Sequence, residues 1–206
     1  MSTPMQKLVD NFIESTSSSN TSQQKQDEYL TLNGSIDENK YSNAANQTLE
    51  LCERDLYSDD ANISENASQQ LAKIGFLAVK ILTKALRSDI SHVAINAANA
   101  IKTIGPNAKT AVFELTWMLH HCDKKHREVA AATLGLLRSL PGVSVYALAQ
   151  ALKDHELTVR QYASAALGEF NGADLTYVTN EMQLAIHDPD KNVETFLQYA
   201  LSKTEA

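Results

Sequence analysis

Apolar residues recur through most of the chain at intervals of three and four residues, which is the spacing of one face of an α-helix. One series begins at Val159 and continues at Ala163, Leu167 and Phe170. The same spacing begins at three earlier positions and, less completely, at one later position: Ile63, Val93, Val129 and Val193. Starting positions that recur every roughly 30 to 36 residues are typical of helical repeat proteins, so the pattern predicts a repeated helical unit.

A second apolar-periodic segment follows each of the first four helices after a break. The breaks are Gly75, Gly105-Pro106, Pro141-Gly142 and Asn171-Gly172, and the second helices are predicted over about 76–87, 107–121, 144–153 and 175–187. A single hairpin of two such helices cannot bury both of its apolar stripes, whereas a stack of hairpins can. The sequence therefore predicts an all-α solenoid of about four helical hairpins plus a terminal helix. An up-and-down bundle is the alternative, but it needs no such repeat.

The N-terminal part of the chain has a different pattern. A short amphipathic helix is predicted over 1–14, because its apolar residues recur at helical spacing: Met5, Leu8, Val9, Phe12 and Ile13. Residues 15–28 contain no apolar side chain, which predicts a flexible polar linker over 15–36. A capping helix over 37–58 precedes the repeat domain, which covers 59–206. We therefore expect a partly disordered N-terminal lead in front of a folded body.

The negative charge of the chain belongs to this lead. Residues 1–60 carry 4 basic and 11 acidic side chains, whereas the rest of the chain carries 14 of each. Binding to nucleic acid depends mainly on cationic contacts to phosphates. A body of zero net charge behind an acidic lead disfavours that function, although the basic residues Lys80, Lys84 and Arg87 keep it as a weaker alternative.

Cysteine usage and hydropathy indicate the compartment. Cys52 and Cys122 have no paired spacing, and the N-terminus lacks the uninterrupted apolar region of a signal peptide. Lys80 and Lys84 interrupt the longest apolar stretch, so no segment reaches the length of about 18 apolar residues that a membrane span needs. We expect a cytoplasmic protein with no membrane partner.

Three segments resemble HEAT repeats, in particular the HEAT-like repeats of the phycobilin-lyase type: DHELTVRQYASAALGEF (154–170), ISHVAINAANAIKTIG (90–105) and HREVAAATLGLLRSLPG (126–142). The resemblance covers about residues 60–203 and implies a right-handed α-solenoid whose second helices line a concave face. In that family an arginine commonly follows the anchoring valine and stacks with an aspartate of a neighbouring loop. Here only Arg160 matches, and the equivalent places are assigned to Ser64, Ala94, Ala130 and Glu194. The polar ladder of the family is therefore expected to be mostly missing.

The resemblance implies that the outward side chains of the second helices form the docking surface. When these helices are aligned on their core residues, the outward positions combine basic, aromatic and polar side chains, as recognition surfaces do. The predicted partner-binding residues are Lys80, Lys84, Arg87, Phe113, Trp117, His120, Tyr146, Gln150, Lys153 and Leu184. Trp117 and Phe113 are either a ligand-facing aromatic pair or a cover for the neighbouring repeat.

One segment has the spacing of a metal site, since His120, His121, Cys122 and His126 are close in sequence. It bridges two predicted helices, and the chain contains no second ligand pair, so we predict neither a metal nor a cofactor. One His-Glu pair, His155-Glu156, is too few for a di-iron site, and no nucleophile or phosphate-loop motif occurs.

The function predicted from these observations is a non-enzymatic adaptor, scaffold or chaperone that binds another protein. The alternative, implied by the resemblance, is a phycobilin lyase subunit or a phycobilisome-associated factor.

Overall fold

The computed structural model describes the backbone of residues 38–205 and the side chains of residues 46–205. All regular structure in this range is helical. The α-helices are α1 (Glu38–Leu56), α2 (Ala61–Ile74), α3 (Val79–Ala85), α4 (Ser91–Ile104), α5 (Val112–His121), α6 (Lys124–Leu137), α7 (Pro141–Ala151), α8 (Leu157–Leu167), α9 (Gly172–Leu175), α10 (Thr179–Ala185) and α11 (Lys191–Ser202). Three 3₁₀ segments join them: Gly75–Ala78, Gly105–Ala111 and Thr176–Val178. The helix predicted over 1–14 and the linker predicted over 15–36 lie outside the described residues.

The helices stack in two layers, which confirms the all-α solenoid. In the first layer, each helix packs on the next in the order α1, α2, α4, α6, α8 and α11. The second layer contains α3, α5, α7 and α10, with α5 packed on α7 and α7 on α10. Each second-layer helix also packs on a first-layer helix, so the apolar stripes of both layers form one core.

The register of the third repeat differs from the sequence prediction. The residues that cap α2, α4, α6, α8 and α11 are Asp60, Ile90, Asp123, Glu156 and Asp190. Three residues after each cap lie the true equivalents of Val159, which are Ile63, Val93, His126 and Val193. With His126 in the place of Val129, these positions are more evenly spaced along the chain than the predicted series.

The predicted anchor Val129 is therefore wrong by one helical turn. His126 is only 7% exposed at the equivalent site, and its Nδ1 atom lies 2.7 Å from the Asp123 carboxylate. Leu140, which the slipped series includes, lies beyond α6 and is 41% exposed. Positions three residues apart share a helix face, so Val129 lies on the same face as His126. Because Val129 is apolar and His126 is polar, the apolar pattern selects Val129, although His126 occupies the anchor position.

Small residues let the first-layer helices approach closely. The fourth residue after the anchor is an alanine in four consecutive helices, and all four are buried: Ala67, Ala97, Ala130 and Ala163. One close approach lies between α6 and α8, where a Cβ atom on Gly135 would stand 2.6 Å from the Cβ atom of Ala166. Only glycine fits at that position.

The breaks between layers need unusual backbone at two glycines. Gly75 and Gly105 end α2 and α4 with φ of +76° and +72°, in the left-handed region that favours glycine. In the third repeat the residues with positive φ are Arg138 and Leu140. The second helix of that repeat, α7, begins at Pro141, before the predicted residue 144. The second helix predicted from residue 76 begins instead at Val79, after the 3₁₀ segment Gly75–Ala78.

Candidate partner-binding face

The second-layer helices repeat in register. Their core residues Leu82, Leu115, Leu148 and Met182 are fully buried and stand at nearly even spacing along the chain. The predicted outward positions lie two residues before, two after and five after each core residue. They comprise Lys80, Phe113, Tyr146 and Asn180, then Lys84, Trp117, Gln150 and Leu184, then Arg87, His120, Lys153 and His187.

We call this set the second-helix face, and none of its side chains is buried. Large apolar surface remains in contact with water on it. Phe113 and Tyr146 are each 60% exposed, and Leu184 is 75% exposed. Phe113 and Tyr146 occupy the same position in consecutive repeats, so the exposure follows the repeat and does not belong to one isolated residue.

Trp117 lies at the centre of a stack. The Arg87 guanidinium lies 5.0 Å from the Trp117 ring centroid, and the His121 ring stacks on the indole with centroids 5.3 Å apart. The His121 ring is fixed by a hydrogen bond of 2.9 Å between Nδ1 and the Trp117 carbonyl oxygen. Trp117 also packs against the core, so it joins two repeats, whereas Phe113 extends into solvent.

The basic residues at the first end of the face are partly neutralised. Lys84 forms an ion pair of 3.1 Å with Glu53 and lies 6.0 Å from the Tyr57 ring centroid. Arg87 forms an ion pair of 2.9 Å with Glu114. Glu53 and Tyr57 come from the end of α1 and the residue that follows it, so α1 contributes to this surface. Neither residue is among the predicted partner-binding residues.

A polar ladder of two ion pairs runs beside the face in the later repeats, one pair more than the single arginine match of the sequence predicts. Arg160 donates to Asp188 through Nε at 2.7 Å, and Arg127 donates to both oxygens of Asp154 at 2.7 and 2.9 Å. Arg127 stands four residues after the cap of α6, as Arg160 does in α8, so Arg127 and not Ala130 is the equivalent residue. The error follows from the one-turn slip at Val129.

The ladder lowers the pKa of its carboxyl groups. Burial by itself raises the pKa of Asp154 and of Asp188, because it removes water from the charged form. The hydrogen bonds from Arg127 and Arg160, those from the backbone N–H groups of Glu156 and Asp190, and the charges of the two arginines together outweigh this effect. Both pKa values therefore fall below the ordinary value of an aspartate. The side chains in these pairs are between 8% and 16% exposed, so the ion pairs are largely shielded from solvent.

A polar cleft opens between the ladder and the second-helix face. It is lined by Leu119, His120, Arg127, Gln150, Ala151, Lys153, Asp154 and His155. It therefore brings together three predicted residues, His120, Gln150 and Lys153, and adds His155. Burial, followed by the charge of His121, lowers the pKa of His120, so this imidazole is neutral at neutral pH.

The four residues with metal-like spacing point to different partners. His121 stacks on Trp117, His126 binds Asp123, and His120 lines the cleft. Burial raises the pKa of the Cys122 thiol, which disfavours the thiolate that a metal requires. Among the residues that the structure describes, no group of three or more His, Cys, Asp or Glu side chains is arranged to hold a metal ion.

Comparisons with known proteins concern the fold. Neither a family model nor a curated protein matches the chain. A designed armadillo repeat protein superposes with a TM-score of 0.56 at 16% identity, over 96% of this chain and 98% of that chain. The chain folds as a HEAT/armadillo-like helical repeat protein.

Two further structures agree with this repeat fold. An engineered protein from a structural genomics consortium matches with a TM-score of 0.57 at 22% identity, over 81% of this chain and 82% of its own. The complex of CpcE and CpcF of phycocyanin lyase from Nostoc sp. PCC7120 matches with a TM-score of 0.58 at 23% identity, over 75% of this chain and 65% of that chain. The resemblance to HEAT-like repeats of the phycobilin-lyase type therefore holds for the fold.

No helix in the described range is long and apolar enough to cross a bilayer.

Proposed function

We propose that this repeat protein is a non-enzymatic adaptor or scaffold that binds another protein through its second-helix face. The observation that carries the proposal is the exposure of Phe113, Tyr146 and Leu184 on three second-layer helices. Large apolar side chains that stay in water on a folded surface mark interaction sites when they lie together. Aromatic residues in particular provide much of the binding energy in protein interfaces.

The charges around these residues indicate the chemistry of the partner. Lys80 and Lys153 add cationic groups at two positions of the face, and the cleft beside Gln150 adds polar contacts. A partner that offers apolar side chains within an acidic surface would complement this arrangement. Nucleic acid fits less well, because Lys84 and Arg87 are already paired with Glu53 and Glu114. Cys52 and Cys122 are free thiols, which agrees with the proposed location in a reducing cytoplasm.

The test is capture of partners from the native host with the wild-type chain and with the double variant Phe113→Ser/Tyr146→Ser. We expect the double variant to lose a specific partner by about tenfold or more, since hot-spot residues carry at least this much affinity. The matched control is Tyr162→Ser, because Tyr162 is 46% exposed on the first-layer helix α8. Equal capture by both variants, or loss that follows a drop in melting temperature, would refute the proposal.

A phycobilin lyase function gains no support from the likeness to CpcE and CpcF, which at 23% identity concerns the fold alone. It is tested separately. If the purified chain formed a coloured complex with a free bilin, and the double variant Phe113→Ser/Tyr146→Ser formed it less well, the second-helix face would bind a pigment and not a protein.

A further inference from the structure

Two large apolar residues are exposed where the first and second layers meet in the first repeat. Phe76 is 68% exposed and Leu77 is 52% exposed, at the apex of the 3₁₀ segment Gly75–Ala78. The next residues, Ala78 and Val79, are buried, so the segment directs its apolar pair outward and not into the core. This segment lies against the 3₁₀ segment Gly105–Ala111 of the second repeat. We call the two segments together the basic turn edge, because several lysines lie close to them in the sequence.

Four lysines lie within about one helical turn of these segments: Lys73, Lys80, Lys102 and Lys109. Among the described residues, none of the four has a carboxylate at ion-pair distance. Residues 66–113 contain six basic side chains and a single acidic one, Asp89. The exposed apolar pair therefore lies in a stretch of the chain that is rich in lysines without a carboxylate partner.

The corresponding edge in the later repeats has a different character. Leu140 is 41% exposed and Tyr177 is 87% exposed there, so apolar residues again face solvent. However, the third turn has a single basic residue, Arg138, and the fourth turn has Glu169 and Asp174. Lys203 also lies at the fourth turn, where it donates to the carbonyl oxygens of Gly168 and Phe170. The third turn thus carries one basic side chain and the fourth has no net positive charge, whereas four lysines without a carboxylate partner lie near the turns of the first two repeats. Leu140 therefore provides a control residue in a less basic environment.

We propose that the basic turn edge docks peripherally on an anionic phospholipid membrane. Phe76 and Leu77 would enter the interface between headgroups and acyl chains, while the lysines contact the anionic headgroups. Stable attachment to a membrane surface generally needs two such signals, one apolar and one basic. Lysine suits this role because its long apolar stem can lie along the interface while its ammonium group stays at the headgroups.

A membrane fits better than a polyanion such as RNA. The apolar residues form a projecting apex, whereas recognition of a single strand uses a basic groove with aromatic stacking platforms. The site is separate from the second-helix face except for Lys80, so a protein partner could be held at a membrane at the same time. The absence of a long apolar stretch argues only against a membrane span and not against peripheral binding. Apolar periodicity predicts Phe76 and Leu77 within a second helix, whereas they lie in the 3₁₀ segment Gly75–Ala78.

The experiment measures binding of the full chain to vesicles of phosphatidylcholine, with and without phosphatidylserine, by cosedimentation. We expect binding only to the anionic vesicles, with a decrease at high salt. The variant Lys73→Gln/Lys109→Gln should bind about 25-fold more weakly, since each lysine near an anionic surface contributes about fivefold. The variant Phe76→Ser/Leu77→Ser should also lose binding. The matched control, Leu140→Ser, should bind as the wild type does.

Melting curves by circular dichroism check that each variant folds. Absence of binding to anionic vesicles would overturn the proposal, as would equal losses in Leu140→Ser and Phe76→Ser/Leu77→Ser. A polyuridine RNA serves as the competing ligand. If it binds, and only the lysine variant weakens it while vesicles do not bind, the edge is a polyanion site and the membrane proposal is wrong. Neither result bears on Phe113 and Tyr146, so the proposed function is tested independently.

Discussion

The repeats on either side of Cys122 are stacked in the same way but joined by different interactions. After Cys122, each repeat is connected to the next by a largely shielded ion pair, Arg127 with Asp154 and Arg160 with Asp188. In the first two repeats the equivalent positions are Ser64 and Ala94, which carry no charge. There the side-chain connection between α2 and α4 is a neutral hydrogen bond of 3.1 Å from Asn96 to Ser64.

The packing between first-layer helices differs between the same two regions. Twelve residues after the cap, α6 and α8 have Gly135 and Gly168, where a Cβ atom would approach the next helix closely. At the same position α2 has Ala72 and α4 has Lys102. The C-terminal region therefore combines glycines at helix contacts with shielded ion pairs, and the equivalent N-terminal positions have neither. We expect the C-terminal region to be more sensitive to substitution and to pH.

The largest effect is expected from Arg127→Ala. Removal of this guanidinium leaves the Asp154 carboxylate largely buried without its ion partner, and such changes cost about 3 to 5 kcal/mol of unfolding free energy. Urea denaturation followed by circular dichroism measures the loss. The control is Arg54→Ala, because the Arg54 side chain is 70% exposed in its pair with Asp55 and should contribute about 1 kcal/mol or less. A loss in Arg127→Ala no greater than in the control would show that the ladder is not a main source of stability.

Gly135→Ala should cost about 1 to 3 kcal/mol, because overpacking forces neighbouring groups to move. The added Cβ atom would stand 2.6 Å from the Cβ atom and 2.8 Å from the Cα atom of Ala166, so part of the obstacle is backbone. Gly142→Ala is the matched control, since a Cβ atom there meets nothing within 4 Å. Melting temperatures of the two variants give the comparison. Equal melting temperatures would mean that α6 and α8 can separate at little cost.

Acid should weaken the C-terminal region in particular. The pKa values of Asp154 and Asp188 are lowered in the folded protein, so their stabilising contribution is complete above the ordinary aspartate pKa of about 4. It is lost as the pH falls from there through the lowered, folded-state values. The loss should be smaller than in Arg127→Ala, because a protonated Asp154 carboxyl group can still accept hydrogen bonds from the Arg127 guanidinium.

Urea midpoints at pH 7 and about pH 3, for the wild type and for Arg127→Met/Asp154→Leu, test this prediction. The double variant lacks one pair and should lose less stability on acidification. If it loses as much as the wild type, other carboxyl groups determine the acid sensitivity.

Much of the fold follows from the sequence because burial repeats with the helix period. The core residues Leu82, Leu115, Leu148 and Met182 already stand at nearly even spacing along the chain. The series that passes through Val129 is uneven by comparison, whereas the series through His126 matches the even spacing of the second layer. The slip arose because apolar periodicity cannot recognise a buried histidine whose ring nitrogen binds Asp123.

In the candidate site, the exposed positions could be predicted from the sequence, but the ion pairs between helices could not. Exposure of Phe113, Tyr146 and Leu184 follows from their positions relative to the core residues. The ion pairs of Lys84 with Glu53 and of Arg87 with Glu114 join residues 31 and 27 positions apart in the chain. Such pairs depend on how neighbouring helices are oriented in space, and periodicity along one helix carries no information about that.

The smallest effect is expected in the N-terminal region, from Asn96→Ala. This change removes the hydrogen bond of 3.1 Å to the buried Ser64 hydroxyl, and a neutral hydrogen bond contributes about 1 kcal/mol. The loss should be the same at pH 7 and about pH 3, because neither partner titrates there. Gln69→Ala is the control, since Gln69 is exposed and its 3.3 Å contact to Glu65 lies within one helix. If Asn96→Ala cost as much as Arg127→Ala, the two regions would not differ in how their repeats are joined, and the sensitivity of the C-terminal repeats would need another cause.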